Sequence, residues 1–221
     1  KRVSYYGDFS IAGVPGTSAP VKLSFKDPGG AVTGSILPTG NATDILDIPG
    51  FGPVTVSIVD VSNPLVFVRA EDIGLKGTEL PEDLDSSEKY LELLETIRGV
   101  TAQRLNFVKH WKDAAKLSPA VPKMTVLAKA DTYNTVNGIT VSDNDIDLLG
   151  RMMSMQKAHK TYALTGALCT VAAAAIPGTL ANELAKPNSD CEKFKIGHPG
   201  GIIEAGVKTQ INNKGGVKVL W

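Results

Sequence analysis

Residues 151–167 have the sequence Arg-Met-Met-Ser-Met-Gln-Lys-Ala-His-Lys-Thr-Tyr-Ala-Leu-Thr-Gly-Ala, in which polar groups precede an apolar segment. The apolar run from Tyr162 to Ile176 is too short to span a bilayer and ends at Pro-Gly, so it predicts a buried helix that begins near Thr165. The first turn of a helix leaves backbone N–H groups unpaired at the positive end of the helix dipole, where carboxylate or phosphate binds readily. The segment therefore indicates an anion site, with an N-capped helix behind a solvated basic loop as the plainer alternative.

The same segment supplies the candidate contacts to an anion. Gly166 has no side chain and would let a ligand approach the helix start closely. The candidate side chains are those of Ser154, Lys157 and His159. His159 and His198 lie in predicted loops, whereas His110 lies within a predicted helix and is more simply structural. Three separated histidines without a supporting carboxylate pattern predict no metal site.

Composition narrows the function classes. The chain has 221 residues, of which 43% are hydrophobic and 21% charged, as in ordinary globular proteins. Lys plus Arg and Asp plus Glu number 23 each, so the chain as a whole has no electrostatic attraction to nucleic acid, and no apolar run is long enough to predict a membrane span. Two cysteines without metal-ligand spacing, and no apolar leader, favour a reducing, cytoplasmic location. The absence of an initiator Met and an end within an apparent strand suggest a fragment.

Hydrophobic periodicity predicts a mixed α/β (α+β) fold with long helices against a twisted sheet. Strands are predicted at 21–25, 54–59, 65–68, 122–130, 193–196, 202–207 and 217–221. Helices are predicted at 85–116, 142–155 and 165–176, and a turn at 212–216.

Several other turns each have two interpretations. Three of these turns could present backbone N–H groups to an anion, and each is also an ordinary β-turn signal: Gly13–Pro20, Pro38–Asn41 and His198–Gly201. Asn63-Pro64 could place an amide in a pocket or simply form a turn. Cys169 lies early in a predicted helix, where packing is the favoured role. The chain has no phosphate-loop, dinucleotide or nucleophile-elbow motif.

Taken together, these segments resemble the 2-methylaconitate cis-trans isomerase family, which includes methylitaconate isomerases and 4-oxalomesaconate tautomerases. The resembling segments, in chain order, are Gly13–Pro20, Leu37–Asn41, Val59–Val68, Asp72–Pro81, Ser154–His159, Thr165–Ala167, Ile176–Thr179 and Gly197–Pro199. Their order and number extend over nearly the whole chain.

The resemblance implies the diaminopimelate epimerase-like fold, with two pseudo-symmetric domains that each wrap a curved sheet around a central helix. The chain would be the C-terminal half of such a protein, lacking the usual closing segment. Residues 1–45 would end the first domain, and residues 46–221 would form the second. The substrate would bind in the cleft between the domains.

The resemblance also implies a cofactor-independent isomerase or tautomerase acting on an unsaturated di- or tricarboxylic acid. Moving a double bond requires a base and an acid, and positive groups that hold the developing charge. The family's acid/base residues lie in its first half, so no catalytic residue is expected in this chain, and the complete protein would be needed for activity. The residues expected to bind the substrate carboxylates are Ser154, Lys157, His159, Thr165, Gly166, Ala167, Asn63 and, more weakly, Asn41.

The chain departs from the family pattern at three positions. Gln156 stands where Gly is usual, Ser18 replaces a small residue or Gly, and Gly200 replaces Ser. The first departure keeps open a non-catalytic acid-binding or structural protein on the same fold. An amino-acid epimerase is a weaker alternative, because those enzymes carry Cys where Thr165 stands. The expected partner is a small unsaturated polycarboxylate, with no cofactor and no metal; a homodimer is left open.

Overall fold

The computed structural model describes residues 4–211 and 217–221; the turn predicted at 212–216 lies outside them. The strands are β1 (Asp44–Ile48), β2 (Gly52–Val61), β3 (Asn63–Arg69), β4 (Lys123–Ala128), β5 (Tyr133–Asn134), β6 (Thr140–Val141), β7 (Leu148–Ser154), β8 (Lys157–Ala158), β9 (Phe194–His198), β10 (Gly201–Ala205), β11 (Thr209–Ile211) and β12 (Val217–Val219). The helices are α1 (Pro81–Asp85), α2 (Glu88–Arg104), α3 (Ala114–Leu117), α4 (Leu164–Ala174) and α5 (Leu180–Leu184).

One mixed sheet organises the described residues. Its strand order is β1-β2-β3-β4-β7-β9-β10, and β8 pairs with the end of β7. The β3–β4 and β7–β9 pairs are parallel, whereas the other neighbouring pairs are antiparallel. All the predicted strands from residue 54 onward overlap strands of the structure.

The sheet lies between two helices because its central strands are apolar on both faces. One face packs against α4, whose Ala172, Ala173 and Ala174 form a core with Leu65 and Phe67 of β3. The other face packs against α2, whose Leu94 and Ile97 form a second core with Val66 and Val68 of β3. Alternate residues of β3 therefore face opposite helices, as strand geometry requires. The predicted buried helix at 165–176 is confirmed, starting one residue earlier.

The predicted helix at 85–116 is wrong at both ends. Asp85 ends the short helix α1, and α2 begins after Ser87, whose hydroxyl accepts a hydrogen bond from the Tyr90 N–H. The helix ends at Arg104, and Asn106 soon afterwards has φ of 60°, a left-handed conformation that stops helical hydrogen bonding. Beyond this point Val108 lies in a loop, Trp111 begins a separate helical turn at 111–113, and Leu117 ends α3.

The helix predicted at 142–155 is also wrong, because this segment contains β7. Ser142 caps only a single helical turn, at 143–145, before Ile146 becomes extended with φ of −132°. Met152 then packs in the α4 core and Met153 in the α2 core, so β7 is covered on both faces. An apolar run buried on two faces lacks a diagnostic period, which explains the misassignment.

Residues 4–43 contain no helix or strand, and the strand predicted at 21–25 is therefore wrong. Val21 is 81% exposed and Leu23 58% exposed, so these two apolar side chains are largely uncovered in the described structure. The segment nevertheless contacts the sheet, since the N–H groups of Val32 and Thr33 donate to the buried Asp60 carboxylate at 2.8 and 2.6 Å. The division at residue 45 stays a prediction; β1 begins at Asp44.

None of the described helices is both long and apolar enough to cross a bilayer.

Candidate functional site

Strand register brings polar side chains from four strands to one end of the sheet. Leu65 pairs with Lys123, which places Asn63 just beyond the start of β4. Thr125 pairs with Met152, and continuing this register by two residues places Lys123 opposite Ser154. Ser154 in turn pairs with Lys157 of β8. We call Asn63, Lys123, Ser154, Lys157 and the following His159 the polar edge.

The polar edge lies on the face of the sheet that carries α4. Residues two apart on a strand point to the same face, and directly paired residues do so as well. Leu65 and Met152 pack in the α4 core, which assigns their strand neighbours Asn63 and Ser154 to that face. The pairing partners of Leu65 and Ser154, which are Lys123 and Lys157, therefore point the same way.

The first turn of α4 approaches this edge through Met152. A Cβ atom added to Gly166 would overlap the Met152 side chain, so the helix start sits directly on β7. The absence of a side chain at Gly166 thus serves packing against Met152, and the binding of a ligand at its backbone N–H stays a prediction.

The unpaired N–H groups at the helix start belong to Leu164, Thr165 and Gly166, which donate to no described residue. The N–H of Ala167 instead donates to the Ala163 carbonyl at 2.8 Å. The predicted use of the Ala167 amide for a carboxylate is therefore wrong. The helix terminus still offers the other three donors and the positive end of the dipole.

His159 is held with one ring nitrogen occupied. Its Nδ1 accepts the Thr161 N–H at 3.1 Å, and its own backbone N–H donates to the Met152 carbonyl at 2.8 Å. In the neutral ring the proton therefore lies on Nε2, which is left as a donor. Burial, followed by the nearby ammonium of Lys123, lowers the pKa of His159, so the neutral form is favoured.

No carboxylate of the described residues lies within 4.0 Å of the charged nitrogens of the polar edge. The edge therefore presents two lysines, a histidine donor and free backbone N–H groups without an internal counter-ion. This combination is suited to an anion with more than one carboxylate.

Three turns that are distant in sequence meet beside His159. A Cβ atom on Gly13 would lie 3.1 Å from Thr161 Cγ2, and one on Gly200 would lie 3.0 Å from the same methyl group. The turns at Gly13–Pro20 and His198–Gly201 are thus brought together with residues 159–161. No ligand contact is assigned to their backbone N–H groups.

His198 repeats the arrangement of His159 in a more buried setting. Its Nδ1 accepts the Gly200 N–H at 3.1 Å, and the residue is 2% exposed. Burial, then the charge of Arg151 and the proximity of His159, lower the pKa of His198 to about 4. The ring is therefore neutral near pH 7, with its proton on Nε2.

Arg151 is a buried cation that links this region to the sheet. Its Nε donates to the Glu79 carbonyl at 2.6 Å, and its Nη1 donates to the carbonyls of Gly150 and Gly197 at 3.0 and 3.3 Å. The guanidinium carbon lies 4.9 Å from the centroid of the Tyr133 ring. Burial lowers the pKa of Arg151 to about 10, so it remains charged, and its Nη2 has no hydrogen-bond partner among the described residues.

Asn41 is not brought to the polar edge. Its side-chain amide donates to Asp44 at 2.9 Å, and the adjacent Ala42 lies beside Gly178, beyond the C-terminal end of α4. An 11-residue helix is about 16 Å long, so this end is far from Thr165. Asn41 therefore lies apart from the polar edge, and its role in binding substrate stays a prediction.

Cys169 lies inside the core, as the packing interpretation predicted. Its Sγ donates to the Val59 carbonyl at 3.2 Å, and burial raises the pKa of the thiol to about 12. Among the described residues, no group of His, Cys, Asp and Glu side chains is arranged to hold a metal ion.

Two surface depressions, of about 590 and 500 Å³, lie away from the polar edge. Thr33 and Arg104 contribute to the lining of the first, and Asn182 and Cys191 to that of the second.

Sequence reasoning missed Lys123 and Arg151. Lys123 starts a strand that was correctly predicted, but only the pairing of β3, β4 and β7 places it beside the other site residues. The signal for Arg151 in the sequence is a single charged residue inside an apolar run, which is typical of a buried cation with hydrogen-bond partners.

The sequence matches the family described as PrpF protein over residues 1–220. The chain belongs to the PrpF protein family. It is 43% identical over 198 residues to 3-methylitaconate isomerase from Eubacterium barkeri, covering 89% of this chain and 52% of that protein. It is 37% identical over 210 residues to 2-methyl-aconitate isomerase from Shewanella oneidensis, a match that covers 94% of this chain and 52% of that protein.

A solved structure of methylitaconate-delta-isomerase matches this PrpF-family chain with a TM-score of 0.89 and 40% sequence identity. The match covers 99% of this chain and 56% of that one. The predicted family and the α/β fold class are confirmed. The chain spans about half the length of the relatives it matches.

Proposed function

We propose that the protein containing this chain is a cofactor-independent isomerase or tautomerase of an unsaturated di- or tricarboxylic acid. In this proposal the chain binds the carboxylates of the substrate, and the residues that move the proton lie outside it. The observation that carries the proposal is the polar edge, which has two lysines and a neutral histidine without a described counter-ion, on the sheet face that carries α4 with its unpaired first N–H groups.

The chemistry of the reaction explains why such an edge is useful. Removing a proton from carbon beside a carboxylate moves negative charge onto the carboxylate oxygens. Positive groups and N–H donors that are already in place stabilise this charge without reorganisation. Through Lys123 and Lys157, the polar edge can hold the acid while a base outside this chain removes the proton.

The names of the relatives support this function. The relatives quoted above are named as isomerases of 3-methylitaconate and 2-methyl-aconitate, and the matching solved structure as a methylitaconate isomerase. They favour catalysis over the non-catalytic alternative that Gln156 kept open. Gln156 has φ of 63° in the β7–β8 turn, so the residue adopts a left-handed backbone conformation that Gly would adopt more easily.

Solvent deuterium exchange tests the proposed reaction. The complete protein is incubated with methylitaconate in deuterated buffer, and NMR follows deuterium entering the carbon that leaves the double bond when the double bond moves. Incorporation together with double-bond migration is expected. Absence of both, for methylitaconate and for 2-methylaconitate, would contradict an isomerase.

Calorimetry with Lys157→Ala tests the binding role of this chain. Loss of a charge-assisted hydrogen bond costs about 1–3 kcal/mol, and the exposure of Lys157 favours the lower end of that range. Lys116→Ala removes an equally exposed lysine from α3 and is expected to leave affinity unchanged. Equal affinities of the two variants would argue against the polar edge.

We further infer a cytoplasmic location, supported by two cysteines that remain free thiols. The homodimer stays a prediction, for which light scattering of the complete protein is the measurement.

A further inference from the structure

Lys123 is a partly buried lysine without an internal counter-ion. The residue has intermediate exposure, and no carboxylate of residues 4–211 or 217–221 lies within 4.0 Å of its ammonium. Burial lowers the pKa of Lys123, which reports the cost of removing water from the charged group. A bound anion would offset this cost.

The backbone before Lys123 is anchored to α2. Arg98, which is 3% exposed, pairs with Glu95 and donates through Nη1 to the Ser118 carbonyl at 2.7 Å. The Ser118 hydroxyl donates in turn to the Val121 carbonyl. The start of β4 is therefore held in place, which limits the entropy lost when its lysine binds a ligand.

Lys123 and Lys157 are placed as two separate cation positions. They lie on β4 and β8, two strand steps apart across β7, which corresponds to about 10 Å between Cα atoms. Both point to the α4 face, and His159 lies close enough to Lys123 for its pKa to be affected. Each lysine can therefore bind a different carboxylate, whereas a single carboxylate would occupy only one position.

We propose that Lys123 determines specificity for acids that carry carboxylates on two different carbon atoms. It binds one carboxylate, while Lys157, His159 and the start of α4 bind the other. This inference rests on the proposed function, because the ligand of both is the same unsaturated acid.

Two inert probes with one carbon skeleton test this role. Methylsuccinate has two carboxylates, and 2-methylbutanoate has a methyl group in place of one of them. Calorimetry of the complete protein is expected to show tighter binding of methylsuccinate. Lys123→Gln is expected to weaken methylsuccinate binding about 10-fold to 100-fold, the effect of one lost charge-assisted hydrogen bond, and to change 2-methylbutanoate binding less than about 3-fold.

Two further variants separate charge from folding. Lys123→Arg keeps the charge and is expected to retain most of the preference for the diacid. Lys116→Gln is the matched surface control and is expected to bind both probes as the unsubstituted protein does. Circular dichroism and thermal melting of each variant show whether it is folded.

The outcomes distinguish this inference from the proposed function. The inference is overturned if the unsubstituted protein has no preference for methylsuccinate, if Lys123→Gln keeps that preference, or if the variant loses both probes equally. Deuterium exchange is measured on the same preparations. A preference that depends on Lys123 in a protein that exchanges no deuterium would retain the inference and reject the isomerase.

Discussion

The Nδ1 atom of His198 accepts a hydrogen bond from the N–H of Gly200, 3.1 Å away. His159 and Thr161 form the same arrangement at the same distance. Each ring nitrogen that bonds a backbone N–H must be unprotonated, so both bonds favour neutral histidine. The two turns thus prepare a pair of Nε2–H donors on adjacent loops.

The first prediction concerns acid stability. The pKa of His198 falls from 6.5 to about 4 in the folded chain, chiefly through burial, so the unfolded state binds more protons between these values. The stabilisation from this group is therefore present above about pH 6.5 and is lost as the pH falls toward 4. The loss amounts to at most about 3 kcal/mol.

Thermal melting of the complete protein between pH 4 and pH 7 measures this effect. His198→Gln is expected to melt at a lower temperature near neutrality and to depend less steeply on pH than the unsubstituted protein. His110→Gln, at an exposed position, is the control. Parallel pH profiles for His198→Gln and the unsubstituted protein would contradict the role of His198.

The second prediction concerns the β7–β8 turn. Met155 and Gln156 have φ of 50° and 63°, and the Gln156 side-chain nitrogen is buried without a described partner. Gln156→Gly is expected to stabilise the protein by about 1 kcal/mol, because a left-handed conformation costs a residue with a side chain about that much. A higher melting temperature, with slower hydrogen exchange of Lys157, is the expected result.

Lys160→Gly provides the comparison for this substitution, since Lys160 is an exposed loop residue without positive φ. It is expected to give no increase in melting temperature. If both variants melt as the unsubstituted protein does, the turn is not strained.

The third prediction concerns Arg151. A lysine has one ammonium in place of the guanidinium and cannot reach the carbonyls of Glu79, Gly150 and Gly197 together. Arg151→Lys is therefore expected to destabilise the protein by about 2–4 kcal/mol. Arg104→Lys, at an exposed position, should change stability by less than about 0.5 kcal/mol, as measured by urea unfolding.

The fourth prediction concerns the contact between the turns at Thr161 and Gly200. Gly200→Ser places a Cβ atom 3.0 Å from Thr161 Cγ2 and 3.3 Å from His198 Cε1. A destabilisation of about 1–2 kcal/mol is expected from this crowding. Thr161→Ser removes the methyl group, so the double variant should recover about 1 kcal/mol. Strictly additive effects in melting experiments would show that the two turns do not touch.

The sequence was sufficient where a signal was local. The apolar run that ends at Pro177-Gly178 located α4, whereas the binding role of Lys157 and His159 in the motif beside it stays a prediction. It was insufficient where the decisive partner was distant. The segment 148–153 became a strand because helices cover both of its faces, a fact that is not encoded in its own periodicity.

The candidate site shows the same contrast between local signals and distant partners. Helix-terminus chemistry predicted that the N–H groups of Gly166 and Ala167 bind a carboxylate, but the Ala167 N–H donates to the Ala163 carbonyl, and Gly166 contacts Met152. Lys123 was missed because its neighbour Ser154 lies 31 positions along the chain, and only antiparallel pairing brings the two together. Local chemistry could therefore be predicted, whereas pairwise proximity could not.

The strands that form the polar edge also form the core, but at different points along their length. Leu65 and Met152 pack against α4, while Asn63 and Ser154, two positions away, end the same strands with little apolar burial. Exchanges at the strand ends can thus change the chemistry of the polar edge at little cost to the folding free energy. The architecture separates variation at the polar edge from the maintenance of stability.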